Sequence, residues 1–146
     1  MDKTTHRTAW LLGLAGLLPF AGSALAFFAA PESWAGLAEG ALIAYGAVIL
    51  SFLGAVHWGL ALRAPVEEAD WGPARLLLGI VPALLGWVAL LLPDVFALPL
   101  LALGMLGTAG AEQWARGKGL VPGDYLVLRW VLSIGAALCL MAPMTG

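Results

Sequence analysis

The sequence predicts an all-α integral membrane protein, a single bundle of five transmembrane helices that fills residues 1–146 as one domain, with the N-terminus cytoplasmic and the C-terminus outside. Three observations predict it. Hydrophobic residues make up 62% of the chain and charged residues 11%, where a soluble domain carries about 25% charged residues; mean hydropathy is +0.94. The apolar residues gather into five runs, each near the ~20 residues that take a helix across a ~30 Å hydrocarbon core. The basic residues fall on alternate connections. The same composition excludes a soluble enzyme, a secreted disulfide scaffold and a disordered tail. Seven basic against nine acidic residues form no basic stripe, so nucleic acid is excluded as a partner.

The spans are read at roughly 9–30, 37–62, 73–92, 95–115 and 123–141. Helix is forced, because lipid cannot satisfy backbone amides and carbonyls. A β-barrel would need strict in-out alternation over runs about half as long. The first span has a basic start and Ala24-Leu25-Ala26 near its end. Those are features of a cleavable signal peptide, but the expectation is that it is retained as a membrane helix. Pro19 in this span and Pro82 in the third each follow a glycine by three residues and are expected to kink their helices. The second span offers the small-residue pairs Ala47/Ser51 and Ala55/Gly59, and the fourth offers Gly104, Gly107 and Gly110. Small residues let helices approach closely in lipid. Cys139, the lone cysteine, reads as a packing residue in the fifth span.

Orientation follows from Lys and Arg. Lys3 and Arg7 precede the first span, Arg63 and Arg75 flank the second connection, Arg116 and Lys118 occupy the fourth, and Arg129 lies just inside the fifth span. The other connections and the C-terminal tail have none. Five spans place all seven on one side, whereas four or six would not. The expected location is a bacterial cytoplasmic (inner) membrane. Trp10, Trp34, Trp71 and Trp114 read as an interfacial aromatic belt.

Counting ~1.5 Å per residue from the span ends sets His57, Glu112 and Arg129 at similar depth, within ~10 Å of the cytoplasmic boundary. Trp58 and Trp130 share that layer. Thr108 and Ser133 sit one turn further in, above Glu112 and Arg129. Ionisable groups inside a membrane are expensive and mark candidate functional sites. Glu112 and Arg129 suit a bidentate pair, and His57 could complete the network. The plain reading is a structural ion pair with a snorkelling arginine. The functional reading is a cytoplasm-facing pocket for an amphipathic ligand. A proton relay is the third, although the outer half offers only Glu39. No motif of nucleotide, zinc or serine-hydrolase chemistry is present. Glu67, Glu68 and Asp70 read as a solvated acidic loop, and neither a cofactor nor a metal site is expected.

The second-span sequence from Tyr45 to Gly59, with its Val56-His57-Trp58-Gly59 end, resembles an uncharacterised "domain of unknown function" membrane family that includes animal transmembrane protein 69. The likeness extends to residues 12–20, 81–87 and 120–129, and so covers nearly the whole chain. It implies a small multi-span protein of bacterial inner membranes and, in animals, mitochondria, with no established activity. It also implies a Tyr with Leu-Arg before the fifth span, matched by Tyr125, Leu128 and Arg129, and an acidic residue near the end of the fourth, matched by Glu112. A tryptophan common before that tyrosine is replaced here by Asp124. Some relatives carry Arg at the His57 position, which the resemblance sets against haem ligation.

The leading functional expectation is a non-catalytic protein whose pocket takes a lipid, quinone, porphyrin-like molecule or other lipophile with an anionic head. Arg129 and His57 would meet the head, Glu112 would orient Arg129, and Trp58 and Trp130 would line the apolar wall. The rival is an accessory or assembly subunit of a larger membrane complex. The third is a small dimeric transporter. The expected partners are the bilayer, a lipophilic small molecule, and a membrane-protein partner or second copy.

Overall fold

Backbone groups in hydrocarbon find partners only in one another, and this chain meets that constraint with helices alone. The computed structural model describes residues 1–146 and contains no strand. Its helices are α1 (Lys3–Ala15), α2 (Leu18–Ala29), α3 (Ala35–Leu62), α4 (Gly72–Leu91), α5 (Asp94–Gly117) and α6 (Gly123–Met141). Together with short 3-10 turns they make five segments long and apolar enough to cross a membrane, the first being α1 and α2 together.

Helix α1 begins six residues before the expected start of the first span. Asp2 caps it, accepting from the Thr5 amide at 2.9 Å and the Thr5 hydroxyl at 2.7 Å. These bonds to the ionised form hold the Asp2 carboxyl below its ordinary range. The kink expected at Pro19 is a break: Gly16 and Leu17 separate the two helices. Breaking a helix in lipid exposes a carbonyl that must be satisfied. The Tyr45 hydroxyl on α3 donates to the Gly16 carbonyl at 2.8 Å, and its ring packs edge-on against Phe20, centroids 4.7 Å apart. At Pro82 the helix is not interrupted, and α4 runs on through the proline. The Pro82 ring is buried in the α3–α4 seam beside Gly54.

Neighbouring spans run antiparallel, as the contacts show. Gly54 on α3 lies against the Gly79 carbonyl on α4, and Gly86 stands so close to Ala47 that an added Cβ would come within 3.0 Å of its carbonyl oxygen. Helices α3 and α5 run parallel, Gly46 opposite Leu101 and Leu50 opposite Gly104. Helix α3 therefore occupies the centre, touching α2, α4, α5 and α6. Leu42, Leu50, Leu98, Leu101, Met105 and Leu140 form the apolar core with Phe20. Helix α1 is peripheral: none of its residues is buried, and it rests mainly on α6, where Gly13 faces Leu128 and Leu132.

The small residues that pack are not those the four-residue motifs suggested. Ala47 and Gly104 are in seams, but Gly59, Gly107 and Gly110 face open space and Ala55 is exposed. The α3–α4 seam repeats every seven residues, at Ala47/Gly54 and Gly79/Gly86, which is the period of slightly crossed helices packed along their length.

Gly54→Ala is expected to push α3 from α4 and destabilise the bundle by about 1–3 kcal/mol, read as a lowered Tm in mild detergent. Gly59→Ala, in open space, is expected to stay within about 0.5 kcal/mol of wild type. Equal melting temperatures for the two variants would contradict the seam.

Candidate functional site

Three helices bring three ionisable side chains to one level: His57 from α3, Glu112 from α5 and Arg129 from α6. Their side chains are 2%, 0% and 1% exposed, so each must be satisfied from within the protein. His57 Nε2 donates to Glu112 Oε1 at 2.8 Å, and Arg129 Nε lies 3.0 Å from Glu112 Oε2, a close ion-pair contact without hydrogen-bond alignment. The bidentate Arg–Glu fork expected from sequence is therefore not formed, because His57 takes the second carboxylate oxygen. Arg129 Nη1 donates to the buried Ser133 hydroxyl one turn along α6. Arg129 Nη2 has no partner.

Thr108 is buried at the next level but satisfies itself, donating to the Gly104 carbonyl of its own helix at 2.7 Å. Trp58 does not line a ligand wall as expected. It is 41% exposed, lies over Gly79, and its indole donates to the Leu76 carbonyl at 3.1 Å. Trp130 likewise turns to α5, where its indole donates to Gln113 Oε1 at 3.2 Å. Both tryptophans share the depth of the polar cluster but face outward from it. Tyr125, one turn before Arg129 on α6, has a buried hydroxyl with no partner.

Two cavities flank the cluster. A crevice of about 380 Å³ runs between α1, α3 and α6, walled by aliphatic and aromatic side chains such as Leu12, Leu17, Phe52, Val56 and Leu132. Its polar side chains are those of Arg129 and Tyr125, and Met1, whose terminal ammonium faces Asp124 at 3.9 Å, also lines it. A smaller cavity of about 220 Å³ on the far side is lined by His57, Arg75, Trp71 and Trp114. Glu112 sits between, linked to His57 on one side and to Arg129 on the other.

Sequence reasoning missed Arg75, which is 7% exposed. Its Nη1 lies 2.8 Å from Glu68 and its Nη2 donates to the Leu120 carbonyl at 3.1 Å, so it ties both connections at the basic end of the bundle together. Glu68 is thus taken out of the acidic loop into an ion pair, while Glu67 and Asp70 remain exposed. The signal was periodic: Arg75, Gly79, Pro82, Gly86 and Ala89 are the buried face of α4. The aromatic pair Trp71 and Trp114 meets edge-on at 5.7 Å beside that clamp, with the Lys118 ammonium 5.6 Å from the Trp114 ring.

The chain belongs to the family described as Protein of unknown function (DUF3429), whose model matches residues 5–145. It is 44% identical over 94 residues to transmembrane protein 69 of the frog Xenopus tropicalis, an alignment that covers 63% of this chain and 36% of the frog protein. The chain thus spans little more than a third of the relative's length. No solved structure matches. The family likeness read from residues 45–59 and 120–129 is borne out, and the chain is a small multi-pass membrane protein.

Glu112→Ala strands the buried Arg129 guanidinium and is expected to cost about 3–5 kcal/mol, read as loss of cooperative unfolding or a sharply lowered Tm. The double replacement Glu112→Leu with Arg129→Met removes both charges and is expected to recover most of that loss. A double variant no more stable than Glu112→Ala would show that the cluster does more than balance charge.

Proposed function

We propose that this family member is a non-catalytic membrane protein that holds a lipophilic molecule with a polar head in the crevice between α1, α3 and α6. One observation carries the reading. Arg129 Nη2 and the Tyr125 hydroxyl are both buried without a partner, and both belong to residues lining the same apolar crevice. A buried unsatisfied donor costs about 1–3 kcal/mol, and two at adjacent turns of one helix face point to a group that accepts from both. The crevice volume of about 380 Å³ falls within the ~300–1,000 Å³ of small-molecule sites. Exposed Leu12 and Phe52 on its rim offer a tail continuous contact with the bilayer.

In this reading Arg129 and Tyr125 meet the head, while Glu112 and Ser133 hold the guanidinium in place. His57 acts through Glu112 rather than by contact. Helix α1, which buries no residue, forms the wall that can part most easily. The polar end of the crevice lies toward the helix ends that carry Lys3, Arg7, Arg63, Arg116 and Lys118. The positive-inside rule then supports a cytoplasm-facing crevice, in the inner membrane of a bacterium.

Native mass spectrometry from mild detergent, with organic extraction of the same sample, tests this. A small-molecule adduct at fixed stoichiometry is expected in wild type, absent in Leu132→Trp, which fills the crevice while leaving Glu112, Arg129 and Tyr125 in place. A clean apo mass, or one shifted only by another polypeptide, would make the cluster structural and turn attention to a protein partner.

A further inference from the structure

Charge within the cluster narrows the ligand class beyond the reading just given, on which this inference rests. We infer that the head of the ligand is a neutral carbonyl acceptor, of the kind found in a quinone or a lipid ester, and not the carboxylate or phosphate that an arginine first suggests. Arg129 is already compensated by Glu112, at 3.0 Å. His57 donates Nε2–H to the same carboxylate at 2.8 Å. One guanidinium and one carboxylate therefore sum to zero. An anionic head placed on Arg129 would add a second negative charge beside Glu112, while the other cation at the crevice, the Met1 ammonium, already faces Asp124 at 3.9 Å; an uncompensated buried charge is strongly unfavourable.

The donor geometry agrees. Arginine recognises carboxylates and phosphates best through a two-nitrogen fork. Here Nε is held against the Glu112 carboxylate in an ion-pair contact at 3.0 Å and Nη1 is taken by Ser133, so Nη2 alone has neither contact and no two-nitrogen fork is open to a ligand. With the Tyr125 hydroxyl one turn away on α6, the crevice offers single donors from two groups, matching the two lone pairs of one carbonyl oxygen. Helices α1 and α2 contribute no charged side chain to the lining, which there consists of Ala9, Leu12, Gly13, Gly16, Leu17 and Phe20. The nearest further ionisable group on α6 is Asp124, whose carboxylate accepts from the Tyr125 amide at 3.0 Å and balances the Met1 ammonium, 3.9 Å away, so that the pair adds no net charge beside the head site.

Equilibrium binding to the full chain in a nonionic detergent, with a micelle-only blank, tests the inference with three probes: palmitate, methyl palmitate and decylubiquinone. The first two share a tail and differ in the charge of the head. At least one carbonyl probe is expected to bind roughly ten-fold or more tighter than palmitate at neutral pH. Whichever of the ester and the quinone binds better identifies the source of the carbonyl. Tyr125→Phe, which keeps the ion pair and removes one donor, is expected to weaken the carbonyl probes about three- to ten-fold. Palmitate binding as tightly as the carbonyl probes, or more so, would overturn the neutral head and leave the crevice standing. Unchanged carbonyl affinity in Tyr125→Phe would also overturn it. Failure of all three probes to saturate would overturn the crevice itself.

Discussion

The meeting of α3, α5 and α6 at the basic end of this bundle turns on one carboxylate. Glu112 is fully buried, and each of its oxygens faces a side chain from a different helix, His57 on α3 and Arg129 on α6. In a medium where water cannot screen or solvate, that carboxylate without partners would be too costly to keep, so α3, α5 and α6 are obliged to meet at this level. The apolar core toward the other end then forms around the same three helices, with Leu50 against Gly104 and Leu140 against Gly46. The ion pair does not make the fold stable by itself, since well-packed apolar residues can do as well. Together with the contacts of Leu50 on Gly104 and of Leu101 and Leu140 on Gly46, it defines the register at which the three helices meet.

The five spans were legible because lipid leaves the chain so little choice: an apolar run of the right length must be helical, and the observed boundaries follow from that rule. The meeting of His57, Glu112 and Arg129 was legible as depth, because rise per residue is nearly constant. The direction in which each side chain points was not. Trp58 follows His57 by one residue and shares its depth, but one residue is 100° of helix rotation, enough to turn its ring outward over Gly79. Trp130 follows Arg129 and turns toward Gln113 for the same reason. Helix faces are set by seams, and the α3–α4 seam was hidden because its glycines recur every seven residues instead of every four. Had the seven-residue spacing of Ala47 and Gly54 been given priority, the outward placement of Ala55, Trp58 and Gly59 would have followed.

The two prolines show how context decides what a lost amide does. Pro82 lies where α3 and α4 approach most closely, held between glycines, and α4 continues through it. Pro19 lies in the loosely packed first span, where nothing restrains the chain, and the helix breaks at Gly16–Leu17. Tyr45 makes that break tolerable by donating to the Gly16 carbonyl. The break has a structural consequence that reaches the candidate site. Helix α2 packs into the core through Phe20 and Ala24, whereas α1 buries no residue and touches mainly α6. The crevice lies between this loosely packed helix and α3 and α6.

The choice of arginine at position 129 is explained by the distinct demands made on its nitrogens. Nε faces the carboxylate of a neighbouring helix, Nη1 reaches a hydroxyl of its own helix one turn on, and Nη2 is left for the crevice. A lysine would present all its donors from a single nitrogen, and turning that nitrogen to Glu112 would leave none fixed toward the cavity. The planar fork lets one side chain address three separate directions. The pairing that secures the helices therefore also holds the free N–H rigidly at the polar end of an apolar space. A carboxylate shared with His57 links that N–H, through two contacts, to the second cavity beside Arg75. The cluster is consequently both the joint of the bundle and the wall between its two cavities, so any group that displaces Arg129 is felt at His57 through Glu112.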